Sequence, residues 1–171
     1  KEISLSQNPL TALDANSFNA LNDLTILNLG STKLTNFDFL KKATKLQTLN
    51  LTDTGIARFT DNFFEGNLEL VHLYAANNKL IVINTSAFSK VASKLVSIDV
   101  SRNRINHVDE DFFTTLTALT AADFTCNQCI SQSFTTKPAD ISKQFEVCNS
   151  SSSIIISSAL TLMLSVLAKF L

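Results

Sequence analysis

Tryptophan is absent from this chain of 171 residues, tyrosine and methionine occur once each, proline twice and glycine three times. So few glycines leave no room for a Gly-rich phosphate-binding loop. With two histidines and three cysteines, a zinc site of four ligands would need His72 and His107 brought in from distant segments, so no metal and no cofactor is expected. An excess of one charge is missing too. Fourteen Lys and Arg face fifteen Asp and Glu, and the sequence shows no basic stripe of the kind a nucleic-acid binder carries. The chain starts at Lys1 with no charged-then-apolar leader, so a secretory signal, and a cap or more of the same architecture, are expected upstream.

What is present in excess is phenylalanine, thirteen residues, which suggests one recurring structural slot. A repeat supplies it. The pattern LxxLxLxxNxL fits six times, beginning with a partial copy at Ile3, Leu5, Asn8 and Leu10. The next copies are Leu24, Leu27, Leu29, Thr32, Leu34, and Leu46, Leu49, Leu51, Thr54, Ile56. Then come Leu70, Leu73, Ala75, Asn78, Leu80, and Leu95, Ile98, Val100, Asn103, Ile105. The most degraded copy reads Leu119, Ala122, Phe124, Asn127, Cys129. The anchor positions Leu5, Leu29, Leu51, Ala75, Val100 and Phe124 step by 24, 22, 24, 25 and 24 residues. A period of this size marks stacked coils.

Each slot has a physical reason. The middle of the pattern predicts a short strand whose side chains alternate inward and outward. A buried Asn at the turn can satisfy backbone groups that no sheet ladder reaches. Thr32 and Thr54 can satisfy fewer, so their turns are expected to be weaker. On the returning half, Leu13 and Phe18, Phe59 and Phe64, Ile83 and Phe88, and Val108 and Phe113 are each five apart. This places Phe18, Phe64, Phe88 and Phe113 in one stacked column, with Leu40 in the slot of the short second coil.

The segments LTILNLGSTKLTNF, LQTLNLTDTGI and LVSIDVSRNRI resemble typical extracellular leucine-rich repeats, as in Toll-type receptor ectodomains, chaoptin-like adhesion proteins and small matrix proteoglycans. The resemblance covers about residues 1–130. It implies an α/β repeat, a right-handed solenoid with a parallel β-sheet on its concave face over residues 1–125. A cysteine-containing C-terminal cap would follow over 126–148. The family's cap carries four half-cystines, and this chain has Cys126, Cys129 and Cys148. In an oxidising compartment Cys148 is expected to pair with Cys126 or with Cys129.

Residues 149–171, NSSSSIIISSALTLMLSVLAKFL, form a Ser-rich linker and an apolar run. The run from Ile154 to Ala168 would be about 22 Å long as helix, short of a bilayer's hydrocarbon core. A lipid-anchor signal is therefore the first expectation and a membrane span the second. Either way the chain is expected at the cell surface.

Outward strand positions define where a ligand would sit. One row would be Glu2, Ile26, Thr48, His72, Ser97 and Ala121, the next Ser4, Asn28, Asn50, Tyr74, Asp99 and Asp123. Strand exits add Gln7, Ser31, Asp53, Asn77 and Arg102. His72, Tyr74, Asn77, Asp99 and Arg102 form the candidate ligand patch, mixed polar with one aromatic. Asn50, Asn84 and Asn149 head N-glycosylation sequons. A glycan at Asn50 would cover the third strand and push contact toward later coils. Ser97 beside His72, with Asp99 or Asp53 near, imitates a hydrolase triad, but an open sheet offers no activating turn and no water-excluding pocket. No catalytic residues and no enzyme activity are expected. The reading is recognition of a protein or glycan at the cell surface, in adhesion or innate immune sensing, with a co-receptor for any signalling. A structural matrix spacer and a secreted enzyme inhibitor are the alternatives.

Overall fold

The computed structural model describes residues 1–136 together with Pro138, Phe145 and Cys148. The hydrophobic tail and the Asn149 sequon lie outside the described residues. Among the described residues no helix is long and apolar enough to cross a membrane.

Among the described residues nine short strands follow one another: β1 (Glu2–Ser4), β2 (Ile26–Asn28), β3 (Thr48–Asn50), β4 (His72–Tyr74), β5 (Val82–Ile83), β6 (Ser97–Asp99), β7 (His107–Val108), β8 (Ala121–Asp123) and β9 (Ser133–Phe134). Six of them form a parallel sheet in the order β1-β2-β3-β4-β6-β8, and β9 closes its edge antiparallel to β8. β5 and β7 pair separately on the returning side of coils four and five. Each returning segment has room for only a short helical piece, such as Asp38–Lys42, Thr85–Phe88 or α1 (Phe112–Thr115).

The register follows the repeat residue for residue. Ile3, Leu27, Leu49, Leu73, Ile98 and Ala122 are successive partners, and from Leu27 onward all are buried. The ladder continues past the strands, where Leu29, Leu51, Ala75 and Val100 donate their backbone N–H groups to Asn50, Tyr74, Asp99 and Asp123 of the next coil. One inward row therefore forms a continuous core in which each coil covers its neighbour.

The turn asparagines act as the repeat requires. The Asn103 amide donates to the carbonyls of Ala75, Val100 and Ser101, and its oxygen accepts from Leu80 N–H. Asn78 donates to Leu51, Ala75 and Ala76. Its oxygen also reaches back to the N–H groups of Thr54, Gly55 and Ile56. Thr32 and Thr54 donate to Leu29 and Leu51. The Thr54 turn is thus supported by the next coil's amide. Thr32 is followed by Thr54 and has no such amide behind it.

The phenylalanine column differs in detail from the expected one. Leu40, expected in the slot of the second coil, is fully buried, but the ring that stacks on Phe18, at 5.0 Å, is its neighbour Phe39. Phe64 stacks on Phe88 at 5.3 Å, and Phe88 then meets Phe112 at 6.4 Å. Phe113 stacks instead on Phe145, 5.7 Å away and 10° from parallel. Two adjacent phenylalanines divide the work in the last coil, one continuing the column and the other holding the cap.

That cap is tied by a disulfide between Cys129 and Cys148, and Cys126 is an exposed free thiol. Of the two pairings open to the sequence, the fold takes the one whose partner, Cys129, packs against the core. Cys126 occupies a strand exit that faces solvent. Phe145, almost wholly buried against Phe112, Phe113 and Phe124, covers the flank that no further coil shields.

Candidate ligand-binding face

The six parallel strands sort their outward residues into rows that coincide with the expected ones. Glu2, Ile26, Thr48, His72, Ser97 and Ala121 are successive partners, as are Ser4, Asn28, Asn50, Tyr74, Asp99 and Asp123. Neighbours along a row are about 4.8 Å apart.

The first row holds one close pair, His72 Nδ1 to Ser97 Oγ at 2.7 Å. The hydrolase analogy ends with that pair. The Asp99 carboxylate accepts from Ser101 N–H at 2.9 Å. Ser97 spends its own N–H on the Val71 carbonyl, so that donor is not free for an oxyanion.

The second row has a structural duty. Asn28, Asn50, Asp99 and Asp123 each turn a side-chain oxygen onto the N–H two residues on, at 3.0, 2.8, 2.9 and 2.8 Å. These are Asx turns that end the strand. Asp99, read from sequence as a ligand contact, is first a turn cap, and only its other oxygen is uncommitted. Tyr74 stands in the same row, cannot make such a bond, and is 41% exposed.

The third row explains why the strands stop. Gln7, Ser31, Asp53, Asn77, Arg102 and Cys126 all adopt left-handed backbone, with φ between 54° and 59°. Each costs roughly 1 kcal/mol for a residue with a Cβ. The first five are held there by an N–H donated to the next coil: to Gly30, Thr52, Ala76, Ser101 and Thr125. Asn77 also donates to Asp53, and Ser31 donates to the same carboxylate. Arg102 is exposed and has no side-chain partner among the described residues.

The fold therefore brings His72, Tyr74, Asn77, Asp99 and Arg102 onto adjacent strands and exits. Of these, Tyr74 and Arg102 are unencumbered. Among the expected glycan sites, Asn84 is exposed beside the turn Thr85–Phe88. Asn50 is half-buried and caps its own turn. Ile26, placed in the first row by the repeat but outside the candidate patch, is 37% exposed, and Leu68 and Ile81, which the repeat does not single out, are 50% and 47% exposed. Ile26 shows as an apolar residue in a row otherwise polar or small.

No family model matches the chain. It is 32% identical over 114 residues to the transforming growth factor beta activator LRRC33 of Danio rerio, an alignment covering 66% of this chain and 16% of that protein. Among solved structures, a chain of the Drosophila Toll–Spatzle complex superposes with a TM-score of 0.68 at 24% identity, over 75% of this chain and 17% of its own. The mouse RP105/MD-1 complex gives 0.67 at 23%, covering 75% and 22%, and the leucine-rich-repeat domain of APL1B gives 0.66 at 19%, covering 73% and 38%. This chain thus spans only a fraction of each. With six coils in the register that the repeat dictates, this chain is a leucine-rich-repeat protein, a right-handed solenoid with a parallel sheet on its concave face.

Proposed function

We propose that the solenoid is a recognition module displayed outside the cell, and that it binds a protein ligand across the later strands of its concave face. Tyr74 carries the proposal. Four residues of its row cap their own turns, and Tyr74 gives up that bond to hold a large half-apolar ring in solvent. Such a ring, with a positive charge nearby and small polar neighbours, is what an interface hot spot is made of. Arg102 supplies that charge. His72 stands on the same strand as Tyr74, and Asn77 at its exit. Two of the similar chains come from complexes, Toll with Spatzle and RP105 with MD-1, which supports a protein ligand. The Cys129–Cys148 bridge suits an oxidising compartment.

Residues 149–171 are read as a lipid-anchor signal, with a membrane span as the alternative. Any signal would then pass through a co-receptor, in adhesion or in innate sensing. A glycan at Asn50 would close the third strand and confine contact to coils four to six.

The test is proximity labelling on cells that display the whole chain, comparing wild type with the Tyr74→Ala, Arg102→Ala double variant. Proteins enriched around the wild type should fall at least about tenfold for the variant, the size of loss that removing a hot spot brings. A spacer that does not use this face would label the same neighbours in both. Release of surface protein by a phosphatidylinositol-specific phospholipase tests the anchor, since a spanning segment would stay behind.

A further inference from the structure

The sequence has no basic stripe, yet the fold assembles one on the edge where the chain leaves the sheet. The position after each turn Asn or Thr forms a row of its own: Pro9, Lys33, Gly55, Lys79, Arg104 and Gln128. Backbone bonds fix the row's alignment. Lys33, Lys79, Arg104 and Gln128 donate their N–H groups to Leu10, Ile56, Leu80 and Ile105 of the coil before. Successive cations are 46 and 25 residues apart in sequence, and Lys79 and Arg104 lie on consecutive coils. All three are exposed.

The row is reinforced from both sides. Arg102 stands at the strand exit two residues before Arg104, and Arg58 follows Gly55 by three. Gly55 leaves open space where a side chain would otherwise project. Among the described residues none of these five cations has an ion-pair partner, and the same holds for Lys42 and Lys90 elsewhere on the surface, whereas Lys41, which lines the same groove as Lys33, Arg58 and Lys79, is bridged to Asp38 and Glu65. The nearby carboxylates keep their charge but are held in place by neutral donors, and Asp38 and Glu65 in the same groove are paired with Lys41. Asp53 accepts from Ser31 and Asn77, Asp61 from Ser86, Asp99 from Ser101 N–H and Asp109 from Thr85.

We propose that this edge is a second binding site, adjoining the concave face and sharing Arg102 with it, that takes a sulfated polysaccharide chain. Cations repeated once or twice per coil over coils two to five match a linear polyanion whose charges recur along its length. The guanidinium groups of Arg58, Arg102 and Arg104 can pair with sulfate oxygens bidentately, as they do with phosphate. The compartment that allows the Cys129–Cys148 bridge makes a sulfated glycan the fitting polyanion rather than a nucleic acid. Binding through a handful of exposed charges is salt-sensitive, because it is driven by release of the polymer's counterions.

The experiment measures retention of the chain on immobilised heparin against desulfated heparin and duplex DNA, at about 0.15 M salt, where the screening length is roughly 8 Å. The Lys79→Gln, Arg104→Gln double variant is compared with Lys42→Gln, Lys90→Gln. The second pair removes the same charge from exposed residues elsewhere. Heparin should be retained and desulfated heparin should not. The row variant should lose roughly tenfold in affinity with a shallower salt slope, as losing two ionic contacts implies. The control pair should change little. An equal loss in both pairs, tighter retention of duplex DNA than of heparin, or no retention of the wild type would each overturn the site. Tyr74→Ala should leave heparin binding unchanged, so failure of this site and failure of the concave-face reading are separately visible. All four substituted side chains are exposed, and superimposable thermal melts check that the variants fold.

Discussion

The junction between coils two and three and the junction between coils four and five use the same repeat and hold together differently. Coils four and five are full length. Asn78 and Asn103 hang three donated hydrogen bonds each on the surrounding carbonyls, and an extra strand pair, β5 with β7, binds their returning sides. Coil two is short, its anchor only 22 residues before the next, and both turns at that junction carry threonine. Two residues compensate on the far side. Asn67, fully buried, donates to the Leu40 and Ala43 carbonyls of coil two, leaving its own oxygen without a partner. Gly66 lets the coils touch, since a methyl group built on it would overlap the Lys41 backbone. A regular coil is held at its turn, and a short one is held at its back.

The largest expected effect comes from breaking that back contact. Gly66→Ala must push coil three off the Lys41 backbone, which cannot rotate away as a side chain could. A loss of about 3 kcal/mol or more is expected, at or above the usual cost of overpacking, read as a shift in urea midpoint. Gly55→Ala is the internal control. Its φ is +82° and its surroundings are open, so only the backbone penalty of about 1–2 kcal/mol applies. Equal effects at the two glycines would mean that the coils do not abut at Gly66.

Next in size is the turn of the regular junction. Asn103→Ala removes three donated bonds and one accepted bond from buried groups. A cost of about 2–3 kcal/mol is expected, because the bare carbonyls remain buried. Thr32→Ala removes one bond, to Leu29, and should cost about 1 kcal/mol. If the threonine mattered as much as the asparagine, the division between turn-held and back-held coils would fail.

How much of this could be read without coordinates follows from what the repeat encodes. Inward and outward positions were legible to the residue, because a strand's alternation leaves no freedom once Leu27, Leu49 and Leu73 must be buried together. The turn amides were legible for the same reason. The division of labour between Phe112 and Phe113 was not, since both are apolar and adjacent, and only the cap's Phe145 decides which faces where. Asp99 looked like a ligand contact because sequence shows a row's polarity and not the hydrogen bond that consumes it. The pairing of Cys148 depended on whether Cys126 or Cys129 lay inward, in a degraded coil where the pattern had lost its apolar anchors. Asn67 carried a usable signal, an amide in a row otherwise filled by Leu21, Ala43, Val91 and Leu116. The basic edge was hidden by distance, for no window of sequence holds Lys33, Lys79 and Arg104 together.

A gain is expected from making the irregular junction regular. Thr54→Asn would place an amide beside Leu51 and within the span to coil two, as Asn103 spans to Ala75. The existing bond from Thr54 to the Asn78 oxygen, at 3.2 Å, would be exchanged for it. The expected net gain is up to about 1 kcal/mol, the worth of one additional hydrogen bond, measured again by urea midpoint. A loss would show that Asn78, reaching back from coil four, already satisfies this turn as fully as an added amide could.

The smallest effect belongs to the ion pair that bridges the same two coils at the surface. Lys41 lies 3.0 Å from Glu65 and 3.6 Å from Asp38. Its pKa is raised above 10.5, first by the hydrogen bond from its ammonium to Glu65 and then by the charge of that carboxylate. A raised cationic pKa stabilises the fold below the unfolded value and loses that contribution only as pH climbs through the folded one. Any effect is therefore complete at neutral pH and disappears only in strong alkali. Both side chains are about half exposed, and water and salt screen such pairs heavily. Glu65→Gln should shift the melting temperature barely at all at physiological salt, and what shift there is should vanish above about 0.5 M salt, where the screening length is only a few ångströms. A salt-resistant shift comparable to that of Gly66→Ala would mean that charge, rather than the backbone contact and the Asn67 amide, carries the short coil.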